Sequence, residues 1–182
     1  MTYQLTTSKG SITIRPALRD DAGLLRALRI EALAAQPEAF AADYTAAQED
    51  PVDWWVGLIT DYALDNKGVI SLACHADQLI GMTGLIHGHW PKTRHSGNIW
   101  GVYVNPDWRG LHVGESLIKE CLAWAQAQGL TIVKLGVVTT NTAAIRCYAR
   151  CGFTVFGIEP QAICYDGVDY DELLMAKSIN AR

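Results

Sequence analysis

The sequence predicts a mixed α/β fold: antiparallel strands first, then a strand–loop–helix–strand crossover, all in one sheet with helices on its faces. Three observations predict it. Short alternating or continuous apolar runs recur at residues 12–14, 69–75, 78–87, 97–104, 131–138, 153–158 and 170–178, the lengths expected of strands. Between them, residues 22–35, a segment opening at Asp50-Pro51, residues 115–128 and residues 141–151 carry apolar side chains at helical spacing. The resulting order is β-α-α-β-β-β-α-β-α-β-β, with no Pro-, Gly- or Ser-rich linker to divide it.

Each element has a local reason. Ile12 and Ile14 alternate, and Pro16 stops that strand. Asp20-Asp21 can cap the first helix; Leu24, Leu25, Leu28 and Leu33 supply its apolar stripe, and Pro37 ends it. Pro51 is placed at the first position of the second helix, where Val52, Trp55, Val56 and Ile59 share a face and Trp54 and Leu58 fall off it. Residues 69–75 and 78–87 read as paired strands around a tight turn at Ala76-Asp77. The strand 97–104 closes at Asn105-Pro106, because proline has no amide to continue the ladder. A short glycine-bearing loop, 110–114, leads into a helix with Leu117, Ile118, Cys121, Leu122 and Ala125 on one face and Gly129 as its C-cap. Residues 131–138 are apolar almost throughout, as suits a strand covered on both sides. A short helix at 141–151 ends at Gly152, and two strands follow. The expected product is one domain spanning residues 1–182, with a core over about 12–178, a sheet of about six to seven mostly antiparallel strands and about four helices.

Composition narrows the function. The 182 residues are 49% hydrophobic, enough for a full core without metals or crosslinks. Net charge is -4, from 15 basic and 19 acidic residues, and no Lys/Arg stripe exists for nucleic acid. The five cysteines, at 74, 121, 147, 151 and 164, are odd in number and form no CxxC pair, which argues against a disulfide framework or a zinc knuckle. Cys147 and Cys151 have the i, i+4 spacing of a metal pair, but the preferred reading is two small apolar residues on a buried helix face. His75, His87, His89 and His95 form no helical ligand pair, so no metal is expected. There is no basic segment followed by an apolar leader, and no run of about 18 apolar residues, so a cytoplasmic location away from membranes is the expectation.

The chemistry concentrates between residues 102 and 114. A strand ends, a loop with Gly110 and Gly114 turns, and a helix begins. Free amides at a helix start, with the positive end of the helix dipole behind them, form an anion site. The glycines allow close approach to the backbone, and Arg109 adds a cation able to fork onto phosphate oxygens. The GxxxxGK[ST] and GxGxxG patterns are absent, which disfavours a nucleoside triphosphate or a dinucleotide.

Arg109–Gly114, together with the strand Val102-Tyr103-Val104, resembles motif A of the GCN5-related N-acetyltransferase (GNAT) superfamily, Q/R-x-x-G-x-G/A, with His112 at a usual glycine. Asn141-Thr142-Ala143-Ala144-Ile145-Arg146-Cys147-Tyr148-Ala149-Arg150-Cys151-Gly152-Phe153 resembles the family's N-x-x-A-x-x-x-Y-x-x-x-G-F stretch, with Asn141 and Tyr148 seven apart on one helical face. The resemblance implies a sheet with a V-shaped splay. It implies acetyl-CoA as cosubstrate, its pyrophosphate on the amides of Arg109, Gly110, Leu111, His112, Val113 and Gly114, its pantetheine on the backbone of Val102 and Val104, and Asn141 as a further partner. It makes Tyr148 the general acid for the departing thiolate. The strand before motif A, Gly97-Asn98-Ile99-Trp100-Gly101, lacks the carboxylate many relatives use as base, so Glu31 on the first helix, or water, is the candidate. The implied activity is acetyl transfer to a primary amine, of a small molecule first, or of a peptide N-terminus or protein lysine. A coenzyme-binding module without catalysis is the reading from another class. Trp54, Trp55, Trp90, Trp100, Tyr165 and Tyr170 are available to shape an acceptor pocket. Relatives often pair through their last strands, so a homodimer is expected there.

Overall fold

Period-2 alternation decides which face each strand buries, and the helices follow from it. In the computed structural model, which describes residues 2–64 and 66–179, the strands are β1 (Tyr3–Thr7), β2 (Gly10–Pro16), β3 (Gly68–His75), β4 (Gln78–His87), β5 (Ser96–Val104), β6 (Ile132–Val138), β7 (Thr154–Tyr165) and β8 (Val168–Ser178). The α-helices are α1 (Ala22–Ala35), α2 (Tyr44–Glu49), α3 (Val52–Leu64), α4 (Val113–Ala127) and α5 (Thr142–Arg150). The strands make one sheet in the order β1-β2-β3-β4-β5-β6-β8-β7. Every neighbouring pair is antiparallel except β5–β6, which is parallel.

Val69 faces the cluster built by α4, while its neighbour Ile70 faces the cluster built by α1 and α3. The sheet is therefore covered on both sides. On one side Leu117, Ile118, Cys121 and Ala125 of α4 are fully buried, each Leu or Ile contributing about 1.5–3 kcal/mol by leaving water. On the other, Leu25, Leu28, Ala32 and Leu33 of α1 pack inward, and Leu24 does not: it is 50% exposed, one position off the stripe. The face of α3 is narrower than expected. Trp55 and Ile59 are buried, Val52 is 45% exposed in the first turn, and Leu58 packs against the core instead of falling off it.

The other departures share a cause: little apolar burial, hence little pattern. β1 was not expected, and the core reaches down to it. Its side chains alternate between half-buried and exposed, and Tyr3 is tied in by its hydroxyl donating to the Ser116 carbonyl at 2.6 Å. The six-residue α2 buries only Ala47 and starts because the Asp43 side chain accepts the Ala46 amide at 2.8 Å. β7 and β8 run on to a tight hairpin at Asp166 (φ 52) and Gly167 (φ 75), and of their outer halves only Ile163 is buried. Eight strands and five α-helices result, one more of each than the pattern gave. No helix of the described residues is long and apolar enough to cross a membrane.

Asp21 fixes where α1 begins. Its carboxylate accepts a bidentate pair from Arg15 on β2 at 2.6 and 2.8 Å and the Leu18 amide at 2.7 Å. Burial pushes this carboxyl up, but the Arg15 and Leu18 donors outweigh it and hold it below its ordinary value. The stabilisation is therefore present above the ordinary carboxylate range and is lost as pH falls towards the lower folded-state value. Asp21→Asn is expected to cost about 1–3 kcal/mol in urea unfolding at neutral pH, with the gap to the wild type closing in acid.

Candidate active site

β5 and β6 stay together for three pairs only, Ser96↔Ile132, Gly97↔Val133 and Asn98↔Lys134. Beyond these β5 continues to Val104 and β6 to Val138 without pairing, while β6 keeps β8 as its other partner along its whole length. The strands part as a V. Gly101, at φ +64, sits where the β4–β5 register shifts, so the open arm of β5 is also bulged. The gap is a cleft of 450 Å³ with Val102 and Val104 on one wall and Gly136 and Val138 on the other.

At its end the cleft meets the start of α4. Asn105 caps the turn Pro106–Trp108 by accepting the Asp107 amide at 3.1 Å, and the chain then turns through Gly110 (φ +76), where nothing would touch a Cβ. α4 begins at Val113, earlier than the expected Glu115, so Gly114 lies in its first turn. Its N-cap, His112, is left-handed (φ 59) and offers no side-chain cap. The leading amides of α4 therefore have no intrahelical acceptor, and the dipole of a 15-residue helix stands behind them. The left-handed backbone explains why glycine suits position 112. The histidine turns its side chain outward instead, Nδ1 lying 3.0 Å from Glu115. Glu115 also accepts Arg150 Nε at 2.6 Å; burial raises its carboxyl, but these two bonds leave it below the ordinary range. Gly114 lies against α5 and β5: a Cβ there would make ordinary contacts with Cys147 Sγ at 3.5 Å and Val104 at 3.8 Å.

Arg109 also borders the cleft, but its Nε donates to the Val104 carbonyl at 3.0 Å and its Nη2 to Gln36 at 3.1 Å, which ties the loop to β5 and to the turn after α1. Leu111 points away, into the cluster around Ile12 and Val113. Asn141 and Tyr148 both line the cleft, as their spacing on α5 implied. Asn141 is the N-cap of α5, its Oδ1 accepting the Ala144 amide at 3.1 Å. Tyr148 is 6% exposed and edge-on to Phe153. Burial, with the Cys147 and Cys151 thiols and Glu172 adding to it, raises its hydroxyl well above the ordinary tyrosine value, so it keeps its proton. Cys147 is half-buried at the cleft wall and Cys151 is buried in the core; the two thiols touch on one side of the helix, as their i, i+4 spacing implies, and only the second is fully buried.

Glu31 is not on the cleft wall. It is exposed on α1, and its Oε1 accepts the Tyr103 hydroxyl at 2.9 Å and the Asn105 amide at 2.8 Å. Burial and then this carboxylate push the Tyr103 hydroxyl up to about 12. A different carboxylate lies against the β6 arm of the V. The carboxyl oxygens of Glu172 on β8 occupy the place a Cβ on Gly136 would take, and Gly136 is cleft wall. Burial, and then the charge of Glu159 directly opposite on β7, raise the Glu172 carboxyl. Two carboxylates facing each other across a ladder were the signal available in the sequence once the register was known. Of the aromatics, Trp100 lines the cleft, Trp55 is buried, and Trp54 and Trp90 are exposed. Phe40 borders both the cleft and a second cavity of 610 Å³ that includes Tyr44, Ile163 and Tyr165.

A split parallel pair that runs into an uncapped helix start defines a cleft for an extended, anionic ligand. The profile of the acetyltransferase (GNAT) family matches residues 29–153, and the chain belongs to that family. The mycothiol acetyltransferase of Salinispora tropica is 33% identical over 149 residues, covering 76% of this chain and 42% of its own length. The streptothricin acetyltransferase of Escherichia coli is 31% identical over 103 residues, 54% of this chain and 57% of its own. The chain spans less than half the length of the mycothiol acetyltransferase relatives it matches, 42% and 20% in two of them. Among solved structures, a GNAT-family acetyltransferase from Streptococcus pneumoniae superposes with TM-score 0.84 at 23% identity, over 93% of this chain and 99% of its own. The yncA protein of Salmonella typhimurium, solved with its cofactor acetyl-CoA, gives 0.82 at 19% identity over 94% and 95%. These two likenesses establish the shared fold.

Replacing His112 by glycine removes a left-handed side-chain penalty of about 1–2 kcal/mol and forfeits an exposed pairing with Glu115 worth under about 1 kcal/mol. His112→Gly is expected to leave urea stability unchanged or raise it by up to about 1 kcal/mol; a clear loss would mean that the Glu115 contact dominates.

Proposed function

We propose that the chain catalyses transfer of an acetyl group from acetyl-CoA to the primary amine of a small molecule. The observation that carries this reading is the V between β5 and β6 leading onto the uncapped start of α4, with the protonated Tyr148 on its wall. Membership of the GNAT family supports it, and so do relatives named for acetylating mycothiol and streptothricin. The residues present fit the coenzyme. The amides from Gly110 to Gly114 face the phosphate position, the unladdered backbone of Val102 and Val104 offers partners to the pantetheine amides, and Asn141 stands beside them. Bound there, acetyl-CoA supplies an activated acyl group on a thiol leaving group.

The chain's own groups then divide the work. Holding both reactants in one cleft contributes up to about 7–11 kcal/mol in favourable cases. The β5 amide near Val102 faces the carbonyl oxygen as it gains charge. Tyr148 gives its proton to the sulfur as the C–S bond breaks. Glu172, which lies against the β6 arm of the V at Gly136, takes the proton that the amine loses as the C–N bond forms. Glu31, bound to Tyr103 and Asn105, positions the end of β5. The turn Pro37–Ala39 packs against β6 and β7 and Phe40 closes the acceptor side, an enclosure that suits a small amine better than a peptide. β7 is an edge strand with Val155, Phe156 and Ile158 exposed, which supports self-association of two copies there.

Four measurements test this reading. Saturating acetyl-CoA is expected to raise the melting temperature, and no shift would remove the assignment. Tyr148→Phe is expected to lower kcat about 100-fold or more with coenzyme affinity intact; an unchanged rate would exclude the acid role. Because the Glu172 carboxyl is raised, kcat/KM should climb with pH through a limb above the ordinary carboxylate range as Glu172 loses its proton. Glu172→Gln should abolish that limb, whereas Glu31→Gln should keep it. Phe156→Asp should convert a dimer to a monomer in light scattering, and a wild-type monomer would refute the pairing.

A further inference from the structure

Arg29 is a buried charge that the reaction scheme leaves without a task. It lies on the inward side of α1 among Leu25, Leu28 and Ala32 and is 8% exposed. Its Nη1 has no hydrogen-bond partner, and among the described residues it forms no ion pair. Its aromatic contact is Phe40, whose ring lies 4.7 Å from the guanidinium carbon. Burial alone lowers the group, to about 10, so it remains charged at neutral pH. A desolvated guanidinium without a counterion is costly and is expected to have a partner in the working protein.

Where it points identifies that partner. Nη1 stands 3.5 Å from the position a Cβ on Gly101 would take. Gly101 is cleft wall and carries the positive φ of the β5 bulge. On the other side of the guanidinium, Phe40 borders the cleft and the second cavity. Arg29 is thus separated from the acceptor space by one glycine and one ring. A second unpaired buried donor, Trp55 Nε1, belongs to the same side of the sheet. Trp100 Nε1, on the cleft wall, is a third, so this side of the sheet holds donors without acceptors, and the charged one among them calls for an anion.

We propose that Arg29 pairs with a carboxylate on the acceptor, and that the acceptor is an α-amino acid or a close analogue of one. The inference rests on the acetyltransferase reading above and adds the substrate class to it. Spacing selects the α-amino acid. Gly101, beside Arg29, is the chain neighbour of Val102, the residue proposed to face the acetyl carbonyl, so a carboxylate at Arg29 and an amine at Val102 would occupy adjacent positions on one wall, as the two groups of an α-amino acid do. Phe40 moves off the guanidinium as the carboxylate arrives, and a cation–π contact is exchanged for a bidentate, charge-assisted pair.

The test compares α-amino acids with their methyl esters and with the matching decarboxylated amines, at saturating acetyl-CoA, by thiol release. The wild type is expected to favour the free acids by about 100-fold or more in kcat/KM, because a site built around a buried donor rejects analogues that leave it unpaired. Arg29→Met should erase that preference, mainly through KM, with coenzyme affinity by calorimetry unchanged, and Arg29→Lys should restore part of it. Since Met removes an unpaired buried charge, its melting temperature should equal or exceed that of the wild type, which separates a recognition role from a structural one. Loss of acetyl-CoA binding in the wild type would sink the acetyltransferase reading and this one together. Coenzyme binding with acids, esters and amines treated alike, or with none of them acetylated, would sink this inference alone.

Discussion

The structure turns on a hydrogen-bonding constraint: β5 and β6 run parallel but share only three residue pairs before they diverge. Backbone amides and carbonyls need partners, and an unladdered strand edge inside a fold is costly unless something else satisfies it. Here each strand is secured on its far side, β5 by β4 and β6 by β8, so the sheet survives the split. The near edges are left facing each other across an open cleft, where their backbone groups are free to bind solvent or an extended polar ligand. The bulge at Gly101 and the uncapped start of α4 extend the same logic along one line.

Packing holds the split open. α4 and α5 cover one side, and the first turn of α4 lies against Val104 and Cys147 at Gly114. Glu115 ties α4 to α5 through Arg150 and to its own N-cap through His112. On the opposite side α1 and the turn after it bring Arg29, Glu31, Gln36 and Phe40 toward β5, and β8 brings Glu172 to Gly136. The cleft between them is lined by glycines and valines of β5, β6 and the start of α4, together with Phe40, Trp100, Arg109, His112, Asn141 and Tyr148.

Two positions work against stability. His112 keeps a left-handed conformation that glycine would adopt freely, and Arg29 keeps a desolvated charge without a counterion. Asp21 shows the opposite case, a carboxylate with every contact directed at holding β2 to the start of α1.

Much of the fold was legible because periodicity and punctuation are local. α1 matched its expected limits, Ala76 makes the β3–β4 turn, and the segments 102–114 and 141–153 supply Val102, Val104, Arg109, Gly114, Asn141 and Tyr148 to one cleft. Elements with little buried apolar surface, β1 and α2, left no pattern to read. The acceptor side was not legible at all. Glu172 meets Gly136 only through the β6–β8 register, and Arg29 looks like any charged helix residue until α1 is laid on the sheet. The sequence by itself determined most of the elements and the glycine-bearing loop before α4, since both depend on neighbours within a few residues. Tertiary structure decided that Glu172 meets Gly136 and that Arg29 meets Gly101 and Phe40, because those contacts join groups far apart in the chain and exist only after the sheet has formed.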